Sequence, residues 1–277
     1  MKTTGRKMSS VFLRCCVYLS AVLTVGVLGF LILYILIKGI PHLSPELFAW
    51  NYTSENCSMV PAIINTLEMT FLALLAAVPI GIGSAIYLVE YAKRGSKLVE
   101  VVRITTETLT GIPSIVFGLF GRLFFVNRLH WQMSILAGAC TLAIMVLPVV
   151  MRTTEEALIA VPDSFREGSF GLGAGKLRTI FQIVLPSAIP GILSGVILSV
   201  GRIVGETAAL IYTAGTVADA ATSLFSSGRT LAVHMYCLSG EGLHIDQAYA
   251  TAVVLLILVI LINLCSSLVA KRVTKGE

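Results

Sequence analysis

The stretch REGSFGLGAGKLRTIFQIVLP, from Arg166 to Pro186, is the most informative part of the 277-residue sequence. Its first half is polar and rich in glycine, and its second half begins a long run without charged residues. The glycines suggest a phosphate-binding loop, but Phe170 stands where the first Walker glycine is required, and Leu177 stands where Ser or Thr would bind magnesium. We therefore predict that this chain does not itself hydrolyse ATP.

Long runs without Asp, Glu, Lys or Arg lie on both sides of this stretch. Five of them have 21 to 24 residues, enough to cross the hydrocarbon core as helices: 15–37, 69–89, 129–151, 179–201 and 247–270. A sixth segment, from Ile104 to Val126, includes Glu107 and Arg122 around the apolar IPSIVFGLF. Because lipid admits only helices or closed barrels, and no run alternates in polarity, we predict an all-α polytopic membrane protein with six transmembrane helices.

The composition excludes a water-soluble globular domain, because 56% of the residues are hydrophobic and only 13% are charged. It also excludes a disordered chain and a disulfide-framed secreted module. The first apolar run follows four basic residues and resembles a signal peptide, but its 23 residues exceed the usual apolar core of about 7 to 15. We predict that it is an uncleaved first span.

The basic residues lie mainly in alternate connections. If the N terminus is cytoplasmic, the inner segments hold 15 Lys and Arg, the outer segments hold 4, and Arg202 lies inside a span. The inner residues are Lys2, Arg6, Lys7, Arg14, Lys93, Arg94, Lys97, Arg103, Arg152, Arg166, Lys176, Arg178, Lys271, Arg272 and Lys275. This asymmetry predicts two cytoplasmic termini, and it accounts for the net charge of +5 without a nucleic-acid partner.

Arg202 and Glu206 are charged residues in an otherwise apolar region. A charge at the bilayer centre costs about 2.5 to 3.5 kcal/mol, so such a residue faces a partner, a cavity or a pathway. Spaced four apart on one helix, the two side chains are predicted to share a face and can pair, which allows a closed state with a neutralised guanidinium and an open state in which it meets an anion. Two interpretations stay open: Arg202 meets an anion in a transport pathway, or the pair is purely structural.

Other residues that could carry chemistry give weaker signals. Cys57 and Cys237 fall in the outer connections, and the sequence leaves open whether they form a disulfide. Four histidines lie scattered outside the spans without metal-ligand spacing, so no metal site is expected: His42, His130, His234 and His244. Gly and Pro interrupt the spans near residues 79–83, 111–113, 148 and 186–191, where they serve either as hinges or for close helix packing.

The opening stretch resembles the EAA signature of ABC-importer permeases. Its elements stand at matching intervals: three residues separate Glu167, Gly168 and Ser169 from Gly173, and nine more separate Gly173 from Ile183, with Leu185 and Pro186 closing the motif. The resemblance implies a type I ABC importer permease (MetI-like) fold, in which this loop forms a cytoplasmic coupling helix that docks on a separate ATPase subunit. An amphipathic helix on the membrane surface, anchored by Phe165, Phe170 and Leu172, is the alternative.

Two further stretches, TGIPSIVFGLFG (Thr110 to Gly121) and GRIVGETAALIYTAG (Gly201 to Gly215), resemble permease subunits of the high-affinity phosphate importer, and the segment order is most similar to the PstA type. That family often has proline where this chain has Ala209, which puts a local helix break in doubt. The resemblance implies a substrate pathway at Arg202, Glu206 and Thr207. It divides the chain into 1–59 (tail, first span and outer loop), a permease core at 60–268 with the coupling loop at 163–186, and a cytoplasmic tail at 269–277.

The resemblance also implies partners: a second permease chain of the PstC type in a heterodimer, two ATPase subunits of the PstB type and an external phosphate-binding protein of the PstS type. ATP and magnesium would bind the ATPase subunits, so no cofactor is expected on this chain, which is expected to lie in a bacterial inner membrane. Import of molybdate, sulfate or phosphonate is the neighbouring alternative. An ion-coupled carrier or channel is the alternative from a different class.

Overall fold

The computed structural model describes residues 3–93 and 95–275, which form eleven α-helices without a strand. The helices are α1 (Thr3–Gly39), α2 (Val60–Ile86), α3 (Lys97–Thr110), α4 (Ser114–Gly121), α5 (Ile135–Ile159), α6 (Asp163–Gly171), α7 (Lys176–Thr179), α8 (Leu185–Val204), α9 (Ala208–Thr213), α10 (Leu231–Glu241) and α11 (Ile245–Lys275). π-Helical turns extend α2, α4 and α7, at Tyr87–Tyr91, Arg122–Arg128 and Ile180–Val184.

Within the described residues, five helical segments are long and apolar enough to cross a membrane: Leu13–His42, Val60–Tyr91, Ile135–Ile159, Lys176–Val204 and Ile245–Leu268. α3 and α4 make a sixth span only if they are taken together; they meet at 103°, the geometry of a broken span or a re-entrant loop. The segment from Ile104 to Val126 is therefore not one continuous helix. Pro113, which has no amide hydrogen to donate and which disfavours helix in the residue before it, accounts for the break.

α5 is the central helix of the bundle. Of its apolar window, 67% is buried, the largest share among the spanning helices in the described ranges, and it packs against α2, α3, α4, α8 and α9. Glycines permit the close approach: a Cβ at Gly81 of α2 would collide with Val150, and a Cβ at Gly195 of α8 would collide with Thr153. In a membrane the hydrophobic effect does not drive helices together, because lipid tails are as apolar as the side chains. Close packing of this kind holds the helices together instead.

Proline and glycine play two different roles in the spans. Pro79, Pro148 and Pro190 lie inside helices that continue past them, and Gly191, beside Pro190, packs against Ala157. The helices are not interrupted at these places, and Gly81 and Gly191 lie at close helix contacts. Only the Gly111–Pro113 site, among the four that the sequence singled out, separates two helices.

α1 lies at the edge of the described bundle, and none of its apolar window is buried. It packs against α11, where Gly39 touches the backbone of Tyr249 and the side chain of Val253. The hydroxyls of Tyr34 and Tyr249 lie 3.4 Å apart. Because the end of α1 meets the beginning of α11, the two helices run antiparallel.

Asn65 of α2 holds the long connection between α9 and α10. Its amide donates to the backbone oxygens of Asp219 and Arg229, each at 3.1 Å, and its Oδ1 accepts from the Ala221 amide at 3.0 Å. Asn65 is fully buried, and these three bonds satisfy its amide group. The connection is therefore fastened to the bundle end opposite α6.

Two buried side chains, those of Arg229 and His234, lie beside this connection. The Arg229 guanidinium sits 4.6 Å from the centre of the Tyr52 ring, and His234 packs edge-on against the same ring. Burial, followed by the charge of Arg229, lowers the pKa of His234 to about 3, so this histidine is neutral at physiological pH. No disulfide joins Cys57 to Cys237 in the described part of the chain.

Candidate functional site: the coupling loop and the broken helices

The stretch that resembles the EAA signature forms a small helical hairpin at one end of the bundle. α6 ends at Gly171, the chain turns at Gly173 with φ of +81°, and α7 follows. None of the α6 residues is buried. The left-handed backbone at Gly173 is a conformation that glycine adopts without the steric cost that a side chain brings. The loop therefore protrudes as an uncovered helical hairpin.

The predicted coupling residues lie along one continuous part of this hairpin. Glu167, Gly168 and Ile183 are exposed, whereas Leu185 and Pro186 are half-buried at the beginning of α8. The hydroxyl of Ser169 lies 2.9 Å from that of Thr179, which joins α6 to α7. A groove of about 430 Å³ runs between the two helices, and Gly168, Ser169, Gly173 and Ile183 contribute to its lining.

Arg166 anchors this hairpin to the membrane helices. Its guanidinium bonds to Glu90 at 2.8 and 3.1 Å and donates to the backbone oxygens of Leu158 and Val161 at 2.9 and 2.7 Å. The Arg166 and Glu90 side chains are 14% and 9% exposed. These bonds join α6 to the ends of α2 and α5. Sequence reasoning missed this contact, although Glu90 directly follows a charge-free run.

Arg166→Met is expected to lower the stability of the assembled protein by about 3 kcal/mol, because it leaves the Glu90 carboxylate buried and unpaired. Arg152→Met is the matched control: Arg152 pairs with Glu107 and Glu156 on a surface where its side chain is 50% exposed. Its loss should cost much less stability than the loss of Arg166, because solvent screens exposed ion pairs. Thermal unfolding of both variants in detergent measures the difference, and equal midpoints would contradict the anchor.

The two stretches that resemble phosphate permeases are packed against each other. A Cβ at Gly118 of α4 would collide with the backbone of Ala209 in α9, and one at Gly121 would collide with Thr213. These two contacts follow the same order in both helices, so α4 and α9 run parallel. Each short helix follows a break in a longer one: α4 comes after Pro113 and α9 after Gly205.

The expectation that Arg202 and Glu206 share one helical face is wrong. α8 ends at Val204, and Glu206 lies in the break before α9. No ion pair joins the two in the described residues. The helix break between α8 and α9 forms although position 209 is alanine and not proline. Instead, the buried Glu206 accepts a hydrogen bond from the Ala209 amide at 3.1 Å.

Helix dipoles explain why the two charges separate. Arg202 occupies the last turn of α8, where the carbonyl end favours a cation, and Glu206 caps the first turn of α9, where the amide end favours an anion. Thr207 stands at the break as the half-buried N-cap residue of α9. Each charge is thus stabilised by a helix end rather than by the other charge, which leaves the Arg202 guanidinium available.

Arg202 lines a cavity of about 470 Å³ between α5, α8 and α11. The other lining residues are Val149, Ile197, Leu198, Gly201 and Asn263. Arg202 is half-buried, and its side chain forms no hydrogen bond with the rest of the described chain. A cation without a counter-charge, in a mainly apolar cavity at a helix break, is suited to receive an anion.

Helices of membrane-spanning length, an exposed helical hairpin at one end and a cavity lined by a cation suit a membrane transport protein. The family described as "Binding-protein-dependent transport system inner membrane component" matches residues 77–276, and the chain belongs to this family. It is therefore a multi-pass membrane protein and a permease component of an ABC importer.

Curated relatives match over most of their length. "Probable ABC transporter permease protein YqgI" of Bacillus subtilis is 32% identical over 96% of this chain and 94% of its own length. "Phosphate transport system permease protein PstA" of Pasteurella multocida is 38% identical over 84% of each chain. The corresponding PstA 1 protein of Mycobacterium tuberculosis is 36% identical over 75% of this chain and 69% of its own length.

Solved structures share the fold. A bacterial ABC transporter involved in the import of alginate aligns with a TM-score of 0.65 over 97% of this chain and 99% of its own, at 16% identity. The MetNI methionine ABC transporter, in an inward-facing form, aligns with a TM-score of 0.61 over 78% of this chain and 96% of its own, at 21% identity. The type I importer permease fold expected from the sequence is confirmed.

Proposed function

We propose that this chain is a transmembrane permease subunit of an ATP-driven importer of inorganic phosphate. The observation that carries the proposal is Arg202, an unpaired cation that lines a cavity at the break between α8 and α9. Arginine suits phosphate because its planar fork donates two hydrogen bonds and stays charged at any physiological pH. The PstA names of several relatives support the same cargo.

In this proposal the chain forms the pathway with a second permease of the PstC type. Two PstB-type ATPase subunits bind ATP and magnesium, and a PstS-type protein delivers phosphate from outside. The α6–α7 hairpin seats in the ATPase through Glu167, Gly168, Ser169 and Gly173, which are not covered by the chain itself. The exposed Phe165, Phe170 and Leu172 enter that contact rather than the lipid surface. When the ATPase subunits close, the resulting movement of α6 is transmitted to α2 and α5 through the hydrogen bonds of Arg166.

Two alternatives can be compared with the residues of this site. A carrier driven by protons or sodium needs an available acidic site in the membrane, but the Glu206 carboxylate is engaged with the Ala209 amide. Transport of sulfate, molybdate or phosphonate would use Arg202 in the same way, so substrate competition has to decide the cargo.

The decisive experiment is transport by the reconstituted complex. Proteoliposomes that contain both permeases and the ATPase should accumulate radiolabelled phosphate only when ATP and the loaded external binding protein are present. If the complex hydrolyses ATP and transports sulfate or molybdate but not phosphate, the proposed cargo is wrong and the assignment as an ATP-driven importer stands. Phosphate accumulation driven by an ion gradient without ATP would refute the assignment as an ATP-driven importer and identify an ion-coupled carrier.

The proposed orientation places the α6–α7 hairpin and both termini in the cytoplasm. Leu243 and Leu172, at opposite ends of the bundle, are 84% and 92% exposed. In a variant without the exposed native cysteines, a membrane-impermeant thiol reagent should label Leu243→Cys in intact cells. It should label Leu172→Cys only after the cells are opened. Labelling of Leu172→Cys from outside would reverse the orientation.

A further inference from the structure

A loop of residues 43–59 leads from α1 into α2 and packs on α10. It closes on itself through a hydrogen bond from the Met59 amide to the Leu47 oxygen, at 2.8 Å. Its buried side chains share one apolar cluster with α10 and the beginning of α11, formed by Leu47, Cys57, Met59, Leu231, Leu238, Ala248 and Ala250. The loop is therefore attached to α10 through apolar packing.

Tyr52, Arg229 and His234 form a compact group inside this contact, which we call the His234 cluster. The Arg229 guanidinium lies 4.6 Å from the centre of the Tyr52 ring, and the His234 ring lies 6.0 Å from it in a perpendicular arrangement. Arg229 is 4% exposed and His234 is completely buried. No ion pair involves either of them among the side chains that the structure describes. A proton on His234 would therefore place a second positive charge in the cluster without a counter-charge.

The groups around His234 oppose its protonation in sum. Neither ring nitrogen has a hydrogen-bond partner of good geometry in the described residues. The nearby backbone of Cys57 favours the protonated imidazole, but burial and Arg229 outweigh it and lower the pKa of His234 to about 3. Four carboxylates on the elements packed around α10 do not contribute to this shift: Glu46, Glu55, Glu68 and Asp246. The closed loop thus requires a neutral imidazole.

The backbone of the loop is strained beside the same histidine. Cys57 has φ of +46°, a left-handed conformation that is costly for a residue with a side chain. Such strain persists only where the surrounding contacts hold it, and it collects at switch regions. Here the contacts that hold it are the apolar cluster and the cover that Tyr52 provides. Weakening these contacts allows the strain to relax, which favours release of the loop.

We propose that the His234 cluster is an acid-sensitive latch: it holds loop 43–59 on α10 at neutral pH and releases the loop when His234 takes up a proton. The released loop exposes the imidazole to water, where it binds a proton that the closed loop excludes. The closed form is therefore fully favoured above about pH 6.5, and its stability falls as the pH is lowered from there towards 3.

The release should be local. α10 stays fastened to α2, because the Leu231 amide donates to the Thr66 hydroxyl at 2.8 Å and Asn65 donates to the Arg229 oxygen at 3.1 Å. The latch lies at the bundle end opposite the α6–α7 hairpin, so in the proposed orientation it responds to the external pH. The latch itself does not depend on the proposed function, since its residues lie apart from Arg202 and the hairpin.

The thiol of Cys57, which is completely buried in the closed loop, reports the release. The test uses the purified complex with Cys57 as the sole cysteine of this chain, the other five being replaced by alanine. Its rate of modification by dithiodipyridine, which reacts with thiols at acid pH, is divided by the rate for Leu243→Cys, an exposed position in the same chain. Between pH 7.5 and pH 5 this ratio should rise about 30-fold, the factor set by an imidazole of pKa 6.5 that titrates only in the released loop.

Two variants remove the protonatable group in different ways. His234→Leu fills the buried space with an apolar side chain, and His234→Gln keeps a polar one. Both should hold the ratio constant within about 3-fold over the same pH range, because neither side chain takes up a proton. His130→Asn is the matched control, since His130 is exposed and has φ of +56°, which asparagine tolerates. This control should keep the full rise.

A chain with Cys140 as its sole cysteine separates local release from general unfolding, because Cys140 lies in the central helix α5. Its relative rate should not change with pH. An equal rise at Cys140 would overturn the latch, and so would a pH-independent ratio at Cys57 with the native histidine. A full rise that persists in either assembled His234 variant would overturn it as well. The profiles at Cys57 and Cys140 decide even if neither His234 variant assembles.

Discussion

Arg202→Gln should reduce phosphate uptake by roughly 100-fold while the complex still assembles and binds nucleotide. The amide of glutamine keeps some hydrogen-bonding capacity, but the positive charge that compensates the anion in the cavity is lost. Because Arg202 has no internal partner in the described structure, its removal leaves no buried counter-charge behind. Uptake of radiolabelled phosphate into proteoliposomes, divided by the amount of assembled complex, measures the effect.

Arg128→Gln is the control. Arg128 follows α4, is exposed and does not line the cavity, so this variant should transport phosphate normally. Glu206→Gln should impair transport less than Arg202→Gln, since its amide oxygen can still cap the Ala209 amide. Exchanging the two charges in a double variant should not restore uptake. Recovery of assembly and transport by that exchange would show that the residues pair in the complex after all.

Gly173→Val should uncouple ATP hydrolysis from transport and reduce uptake at least about 10-fold. The backbone at Gly173 has φ of +81°, and a left-handed conformation costs an L-residue roughly 1 to 2 kcal/mol, more when the side chain is β-branched. The hairpin between α6 and α7 would then relax into another shape that no longer seats in the ATPase. The measurement is ATPase activity with and without loaded binding protein, together with phosphate uptake.

The chain supplies a close control for backbone conformation. A Cβ would meet open space at both Gly173 and Gly175, but Gly175 has φ of −75°. Alanine should therefore be tolerated at Gly175 and should partly uncouple transport at Gly173. Equal activity of the two alanine variants would mean that the turn geometry does not govern coupling.

The candidate site was predictable where its signal is local in the sequence. The interval pattern from Glu167 to Pro186 marked the segment that folds as the α6–α7 hairpin, since a short hairpin is built from neighbouring residues. The interval between Arg202 and Glu206 led to a wrong prediction, because a spacing of four places two residues on one face only if the helix continues. It ends at Val204, where the carboxylate of Glu206 begins a new helix.

The amino-acid sequence by itself determined the apolar spans, the polar loop between them and the residue types available for an anion. These properties depend on hydropathy and spacing along the chain, because lipid requires each span to satisfy its own backbone hydrogen bonds. Only the tertiary structure decided that α4 packs on α9, that Arg166 bonds to Glu90 76 residues away, and that Asn263 shares a cavity with Arg202. Those contacts join distant segments whose relative positions are set by helix packing, through close approaches such as Gly118 on Ala209.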